Sequence, residues 1–244
     1  NVKLIIFDLD YKIPRHMVED FVYNTKNMYV FELGNKWSNL AYETDGRCRK
    51  VFIPFDFRFI NTFKPKTVLV DDVDDVVYIG NRYERDWCID KYLKNVPGVK
   101  VFGNWLEGQR HSDKEWPMIN FGKRLQTSDM YEAYSNSVTT VLLAKKEYCE
   151  NGFMTARILE AIFYGCIPLF IEEYGKDVIN LYAGRFADEL TVRSSEDVIK
   201  KSKMFREDTH YRSQVINYLR AHLSFMDVRC FTRNVYNVIG NGEK

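Results

Sequence analysis

The stretch Glu150-Asn-Gly-Phe-Met-Thr-Ala-Arg-Ile-Leu-Glu160, continued by Ala-Ile-Phe-Tyr-Gly165-Cys-Ile-Pro-Leu-Phe170, decides how the chain reads. It holds a turn at Gly152, an amphipathic helical run over Thr155–Tyr164 and a continuously apolar run over Cys166–Ile171. Gly165 stands just past the helical run, where a helix end favours a residue that tolerates positive φ. A short apolar run bounded by turn residues reads as a strand buried on both faces. A helix feeding such a strand directly is half of a parallel crossover unit.

The same alternation extends outward in both directions. Upstream, Val76–Ile79 reads as a buried strand ending at Gly80-Asn81, and Tyr83–Asn95 as a helix that stops before Pro97-Gly98. Val99–Phe102 and Met118–Phe121 are the next strands, ending at Gly103-Asn104 and Gly122. Ser128 is placed to cap a helix over Asp129–Ser135, and Thr139–Ala144 is a fourth strand. Downstream, Leu190–Val192 is a sixth strand, and Ser194 or Ser195 caps a last helical region running through Lys203 and Arg220 to Asn237. Short strands alternating with helices predict a doubly wound parallel sheet in an α/β fold. Ahead of Lys64-Pro65-Lys66 stand only Val2–Asp8, a helical Arg15–Lys26, Met28–Leu33 and Lys50–Ile53. The expected domains are therefore a reduced one over 1–66 and the main one over 67–244.

Composition narrows the function. The 244 residues carry 35 Lys+Arg against 34 Asp+Glu, with 45% hydrophobic and 28% charged residues, which excludes a disordered or fibrous chain. The net charge of +1 excludes a uniformly cationic nucleic-acid coat but not a local basic face. No apolar run approaches the ~20 residues of a membrane span. The five cysteines lack C-x-x-C spacing and the four histidines are dispersed, so reduced thiols and no metal site are expected.

Ligands of doubly wound sheets bind beyond the carboxyl ends of the strands. That rim holds Gly80-Asn81-Arg82, Gly103-Asn104-Trp105, Gly122-Lys123 and Lys145–Phe153. Free N–H groups from Gly152 to Thr155 at a helix start can hold a diphosphate. Arg157 and Glu160 share a helix face, where Glu160 can accept from two ribose hydroxyls or simply pair with Arg157 on the surface. Arg82 can grip phosphate bidentately, and Lys145, Lys146 and Lys123 are weaker candidates. A base would fall near Asn120–Leu125, unless this is a plain strand end. Trp105 and Trp116 are sugar or base platforms or packing residues.

The pattern G-F-x-x-x-R-x-x-E-A-x-x-x-G-C-I-P-L-F resembles the donor-binding segment of GT-B glycosyltransferases, including the CgeB-like and group-1 families. V-V-Y-I-G-N-R-Y-E-R-D and V-K-V-F-G-N-W resemble the first strand–loop units of the same domain, so the likeness spans Val76 to Phe170. The run R-I-L-E-A-I-F-Y-G-C-I-P-L-F is also similar to the T-even phage α-glucosyltransferases that modify hydroxymethylcytosine in DNA. The resemblance implies a UDP-sugar-dependent, retaining hexosyltransferase of GT-B type, with UDP-glucose or a similar nucleotide sugar as donor and no tightly bound cofactor or metal. It places Gly152, Phe153, Met154 and Thr155 at the diphosphate and Arg157 and Glu160 at the ribose, with Gly80, Asn81, Arg82, Gly122 and Lys123 completing the donor site. Many retaining members carry a second Glu eight residues before the ribose one, which here is Gly152; Glu150, two residues earlier, is the catalytic candidate in its place.

The acceptor it implies is a hydroxymethylated or already glucosylated base in duplex phage DNA, which would put the protein in the host cytoplasm. Surface polysaccharide or a small molecule is the alternative acceptor, and a nucleotide-binding remnant without turnover is a further reading. Duplex DNA needs a basic face, for which Arg47-Cys-Arg49-Lys50 and the nine Lys/Arg against five Asp/Glu of residues 193–234 are the candidates. Asp8 and Asp10 are candidates to contact the acceptor. Their spacing also resembles the nucleophile and acid of haloacid-dehalogenase-type phosphatases, although Lys12 and Pro14 depart from that motif.

Overall fold

A computed structural model describes residues 3–8, 15–32, 47–52, 54–60, 74–105 and 116–240. The chain divides into two compact units, one of Asn1–Phe57, Glu150–Thr155 and Phe225–Lys244, the other of Arg58–Cys149 and Ala156–Ser224.

In the first unit β1 (Leu4–Asp8), β2 (Met28–Glu32) and β3 (Cys48–Lys50) form a parallel sheet in that order, with α1 (Arg15–Asn24) joining the first two. β3 lies upstream of the expected Lys50–Ile53 because its register with β2 starts at Val30↔Cys48. Arg47 is not a free surface cation: it donates to the carbonyls of Val22 and Thr25 at the end of α1, the Thr25 bond at 3.1 Å. Such a cation satisfies carbonyls that a helix end leaves without partners. The C-terminal helix Val228–Gly240 belongs to this unit, with Phe231 against Phe7 at 5.7 Å between ring centroids. Phe55 brackets its start, donating to the Met226 carbonyl and accepting from Val228 N.

The second unit carries β4 (Asp74–Ile79), β5 (Lys100–Phe102), β6 (Asn120–Gly122), β7 (Ser137–Leu142), β8 (Ile167–Ile171) and β9 (Thr191–Val192). All pairings are parallel, in the order β6-β5-β4-β7-β8-β9. Strand order therefore runs outward in both directions from the β4/β7 pair, where a doubly wound sheet opens its crevice. Among the described residues its α-helices of five residues or more are α2 (Thr127–Ser135), α3 (Lys146–Glu150, whose last residue falls in the first unit), α4 (Arg157–Phe163), α5 (Lys176–Ala183), α6 (Ser195–Glu207) and α7 (Thr209–His222). Val77 and Ile79 pack with Tyr134 of α2 and Ala161 of α4. On the other face Thr139, paired in register with Val76, hydrogen-bonds Ser202 of α6 at 2.6 Å. The two-sided burial explains why β7 and β8 are buried at every position.

Several local expectations shift. The expected helix over Tyr83–Asn95 is a turn at Asp86–Cys88 running into a π-helical turn at Ile89–Leu93. Residues 81–85 stay outside it because Arg85 donates to the carbonyls of Asn81 and Tyr83, and Glu84 adopts φ 55°. Ser128 does not cap α2: the helix starts a residue earlier, and the Ser128 hydroxyl turns to Asp129 Oδ1 at 3.2 Å. Of the two serine caps, Ser194 accepts from Asp197 N. The last helical region is broken at Asp208, whose side chain accepts from Tyr211 N and starts α7. α7 in turn finishes α4: Arg212 donates to the Gly165 carbonyl, and Arg220 to those of Ile162 and Phe163, at 2.9–3.3 Å.

Candidate functional site

A cleft of about 880 Å³ lies where the strand order reverses, lined by Asn81, Arg82, Tyr83, Glu84, Asp86 and Trp87 after β4, Asn104 after β5, and Lys146 and Glu147 of α3 after β7. Cavities of this size suit a nucleotide or a comparably large ligand. The sequence brings its walls together because β4, β5 and β7 all end at this edge of the sheet.

Arg82 sits at the cleft with its fork closed on Asp86, Nε to Oδ1 at 2.7 Å and Nη2 to Oδ2 at 2.6 Å, and its guanidinium over the Trp116 ring at 4.9 Å. The side chain is therefore oriented before any anion arrives. The Asp86 carboxylate is the group a phosphate oxygen would displace or share. Lys146 is exposed at the cleft, and Lys145 lies with its Nζ 4.3 Å from the Tyr83 ring centroid and 3.9 Å from Glu84.

Arg157 and Glu160 form a second polar spot one turn into α4. Arg157 Nη1 donates to Glu160 Oε2 and approaches Met130 Sδ at 3.5 Å. Burial works against the Arg157 charge, but the Glu160 carboxylate outweighs it and holds the guanidinium above its usual pKa. The Tyr134 hydroxyl is pushed far up, first by burial and then by the Glu160 charge, and Tyr164 is raised for the same reasons. Glu160 thus sits in an aromatic surround, 18% exposed, with Oε2 taken by Arg157.

The other sequence candidates separate into three groups. Asn81 lines the cleft beside Arg82, whereas Gly80 and Gly122 serve packing: a methyl on Gly80 would strike the Tyr78 ring, and one on Gly122 the Phe102 ring. Gly122 and Lys123 lie at the edge strand β6, away from the β4/β7 crevice. Leu125 packs onto the core beside Tyr134. Trp105 and Trp116 are 0% and 2% exposed, in a ring cluster with Tyr78 and Phe121, so neither offers a platform. Their N–H groups are spent on the Gly80 carbonyl at 2.6 Å and on Asp90 at 2.9 Å. In the first unit, Glu150 is exposed, Gly152 has φ 61°, Phe153 and Met154 are buried, and Thr155 is half-buried. Asp8 closes β1, its side chain lying outside the described residues, as does the whole of Asp10.

The basic segments are largely engaged within the chain. Of the nine cations in 193–234, Arg193 meets Glu172, Lys201 meets the Asp188 and Glu189 carbonyls, Lys203 meets Glu207, and Arg206 meets Asp75. Arg212 and Arg220 cap α4, and Arg229 grips Asp227. Among the described residues no group of three or more His, Cys, Asp or Glu could hold a metal ion, and no helix is long and apolar enough to cross a membrane. Sequence reading did not single out Tyr83, Glu84, Asp86 or Trp87 of the cleft, and placed Asn104 and Glu147 on the rim only by their positions after strands.

No protein-family model matches the chain, and no curated protein sequence does. Solved structures match over most of it. T4 phage β-glucosyltransferase, described with substrate binding and a proposed catalytic mechanism, aligns with a TM-score of 0.64 at 17% identity, covering 95% of this chain and 74% of the other. A β-glucosyltransferase described as a DNA-modifying enzyme, solved with and without uridine diphosphoglucose, gives 0.60 at 16%, covering 87% and 66%. Anabaena Alr3699/HepE in complex with UDP-glucose gives 0.66 at 12%, covering 98% and 72%. The chain thus spans about two thirds to three quarters of the length of these relatives, and its fold is the GT-B fold they share.

Proposed function

We propose that the chain is a glycosyltransferase that moves glucose from UDP-glucose to an acceptor hydroxyl. The observation that carries this reading is the cleft at the β4/β7 reversal with Arg82 and Lys146 on its wall, in a fold shared with enzymes solved with that donor. In this reading residues 67–244 hold the donor and residues 1–66 the acceptor side. Arg82, Asn81 and Lys146 meet the diphosphate. Such fixed donors stabilise the charge that builds on UDP as it leaves, which is how the transfer proceeds without a tightly bound cofactor. Glu160, oriented by Arg157, accepts from the ribose hydroxyls. The C1–O bond to UDP breaks and a C1–O bond to the acceptor forms. The acceptor oxygen reaches C1 on the same face that UDP leaves, so the sugar keeps its anomeric configuration, and the acceptor proton passes to a base, for which Glu150, Asp8 and Asp10 are the candidates.

The acceptor is a hydroxymethylated or glucosylated base in duplex DNA, a reading supported by the segment Arg157–Phe170 and by the fold likeness to a DNA-modifying glucosyltransferase. UDP release from UDP-glucose, followed with hydroxymethylated, glucosylated and unmodified duplexes, tests it. Release with the first or second and not the third is expected. Release only with polysaccharide or a small molecule replaces the acceptor, and UDP binding with no release for any acceptor leaves a nucleotide-binding remnant. Glu160→Ala tests the donor site. Losing hydrogen bonds to a charged group, each about 1.5–3 kcal/mol, should weaken UDP binding at least ~10-fold. The fold should persist, because a partly exposed ion pair contributes about 1 kcal/mol or less. Unchanged UDP affinity removes Glu160 from the site.

A further inference from the structure

Among the described residues, two polar atoms in the walls of the β4/β7 cleft have no hydrogen-bond partner. Trp87 Nε1 and Asn104 Oδ1 are buried without a hydrogen-bond partner, and both residues line the cleft. They come from different segments, the helical turn after β4 and the loop after β5. Each is next to a group that is fully engaged. Arg82 and Asp86 are closed on each other, and the neighbouring Trp105 bonds the Gly80 carbonyl. A buried donor or acceptor is costly to leave unmatched, so each of these atoms calls for a partner from outside the protein, ordered water or a ligand group.

The chemistry of the pair defines the ligand. The indole N–H can only donate and an amide oxygen can only accept, and neither carries charge. A phosphate offers acceptors, which suit the indole but oppose the amide oxygen. A cation offers donors, with the reverse mismatch. A ring bearing hydroxyls on adjacent carbons offers both. The same cleft has its cationic groups on Arg82 and Lys146, so an anionic portion and a hydroxylated portion of one ligand each have a matching wall.

We infer that Trp87 and Asn104 form the subsite for the hexose ring of the donor, one hydroxyl accepting from Trp87 Nε1 and another donating to Asn104 Oδ1. This rests on the reading of the cleft as a UDP-sugar site and adds to it the residues that recognise the sugar.

Trp87→Phe keeps the ring and removes the N–H, and Asn104→Leu keeps the volume and removes the amide. Binding of UDP and of UDP-glucose to the whole chain is measured by calorimetry for each variant, with thermal unfolding alongside. Loss of one neutral hydrogen bond should weaken UDP-glucose about 3- to 10-fold, leave UDP within about 2-fold, and leave Tm unchanged or raised because an orphan group has gone. Equal weakening of both ligands would overturn the sugar subsite, as would unchanged UDP-glucose affinity, or a lowered Tm with donor affinity intact. Wild-type protein that binds neither ligand brings down the donor reading itself, and the subsite with it, a result distinct from all of these.

Discussion

Gly103→Ala should be among the most damaging small substitutions in the sheet. Gly103 follows β5 with φ 148°, and a methyl on it would lie 2.8 Å from the Gly80 carbonyl carbon and nearer still to its oxygen. That carbonyl cannot swing aside. Gly80 N donates to the Phe102 carbonyl at 2.9 Å, and Gly80 O accepts from the buried Trp105 indole at 2.6 Å. Forcing atoms into a packed interior costs about 1–3 kcal/mol, and a side chain at such a φ adds at least ~1 kcal/mol. About 3 kcal/mol is therefore expected, which for a chain of this size lowers Tm by roughly 6–12 °C. Gly98→Ala is the matched control: φ is 67°, but nothing lies within 4 Å of the added methyl, so only the strain of roughly 1 kcal/mol remains, or about 2–4 °C. Thermal melts and urea titrations at unchanged m-value read both. Equal Tm losses for the two variants would refute the backbone collision, because strain alone would then account for Gly103.

Arg220→Met keeps the apolar stem but uncaps α4; with charge-assisted bonds to the Ile162 and Phe163 carbonyls gone, about 2–3 kcal/mol should be lost in a urea titration. A change below about 0.5 kcal/mol would mean that the carbonyls find other partners without cost. The Arg229 guanidinium beside Asp227, 2.7 and 2.9 Å from its oxygens, holds that carboxyl down to about 2 from 3.8. A depressed folded pKa gives stability that is complete above the unfolded value and lost as pH falls through the folded one. Asp227→Asn should therefore be less stable than wild type by a constant margin above about pH 5, with the gap closing between about pH 4 and 2. A margin that persists at pH 2 would assign it to packing instead of charge.

The sheet was readable because parallel strands buried on both faces are continuous apolar runs, as in Cys166–Ile171, and because glycines punctuate their ends. What escaped was decided by neighbours distant in sequence. Gly80 and Gly122 look like openings for a ligand until Tyr78 and Phe102 are seen to fill the space. Arg212 and Arg220 read as a basic stripe, yet burial pulls both pKa values down and their partners are backbone carbonyls. The loop at 81–85 has helix-compatible residues, but Arg82 and Arg85 spend their guanidinium groups on Asp86 and on local carbonyls. Arg157 and Glu160 were legible because a three-residue spacing on one helix needs no tertiary information.

The two half-buried guanidinium groups under α4 also set an order of events. A helix of seven residues is far below the ~12–15 at which isolated helices begin to persist in water. Its terminal carbonyls at Ile162 and Phe163 are bonded by a side chain 57–58 residues further along the chain, and the Gly165 carbonyl just beyond it by one 47 residues along. A nascent chain that has just emerged through β9 therefore owns every strand of the sheet but no lasting α4. The Arg157–Glu160 pair matures only when α7 has been synthesised and has docked. In the finished protein, amides of α4 and α7 should exchange with solvent as one cooperative unit.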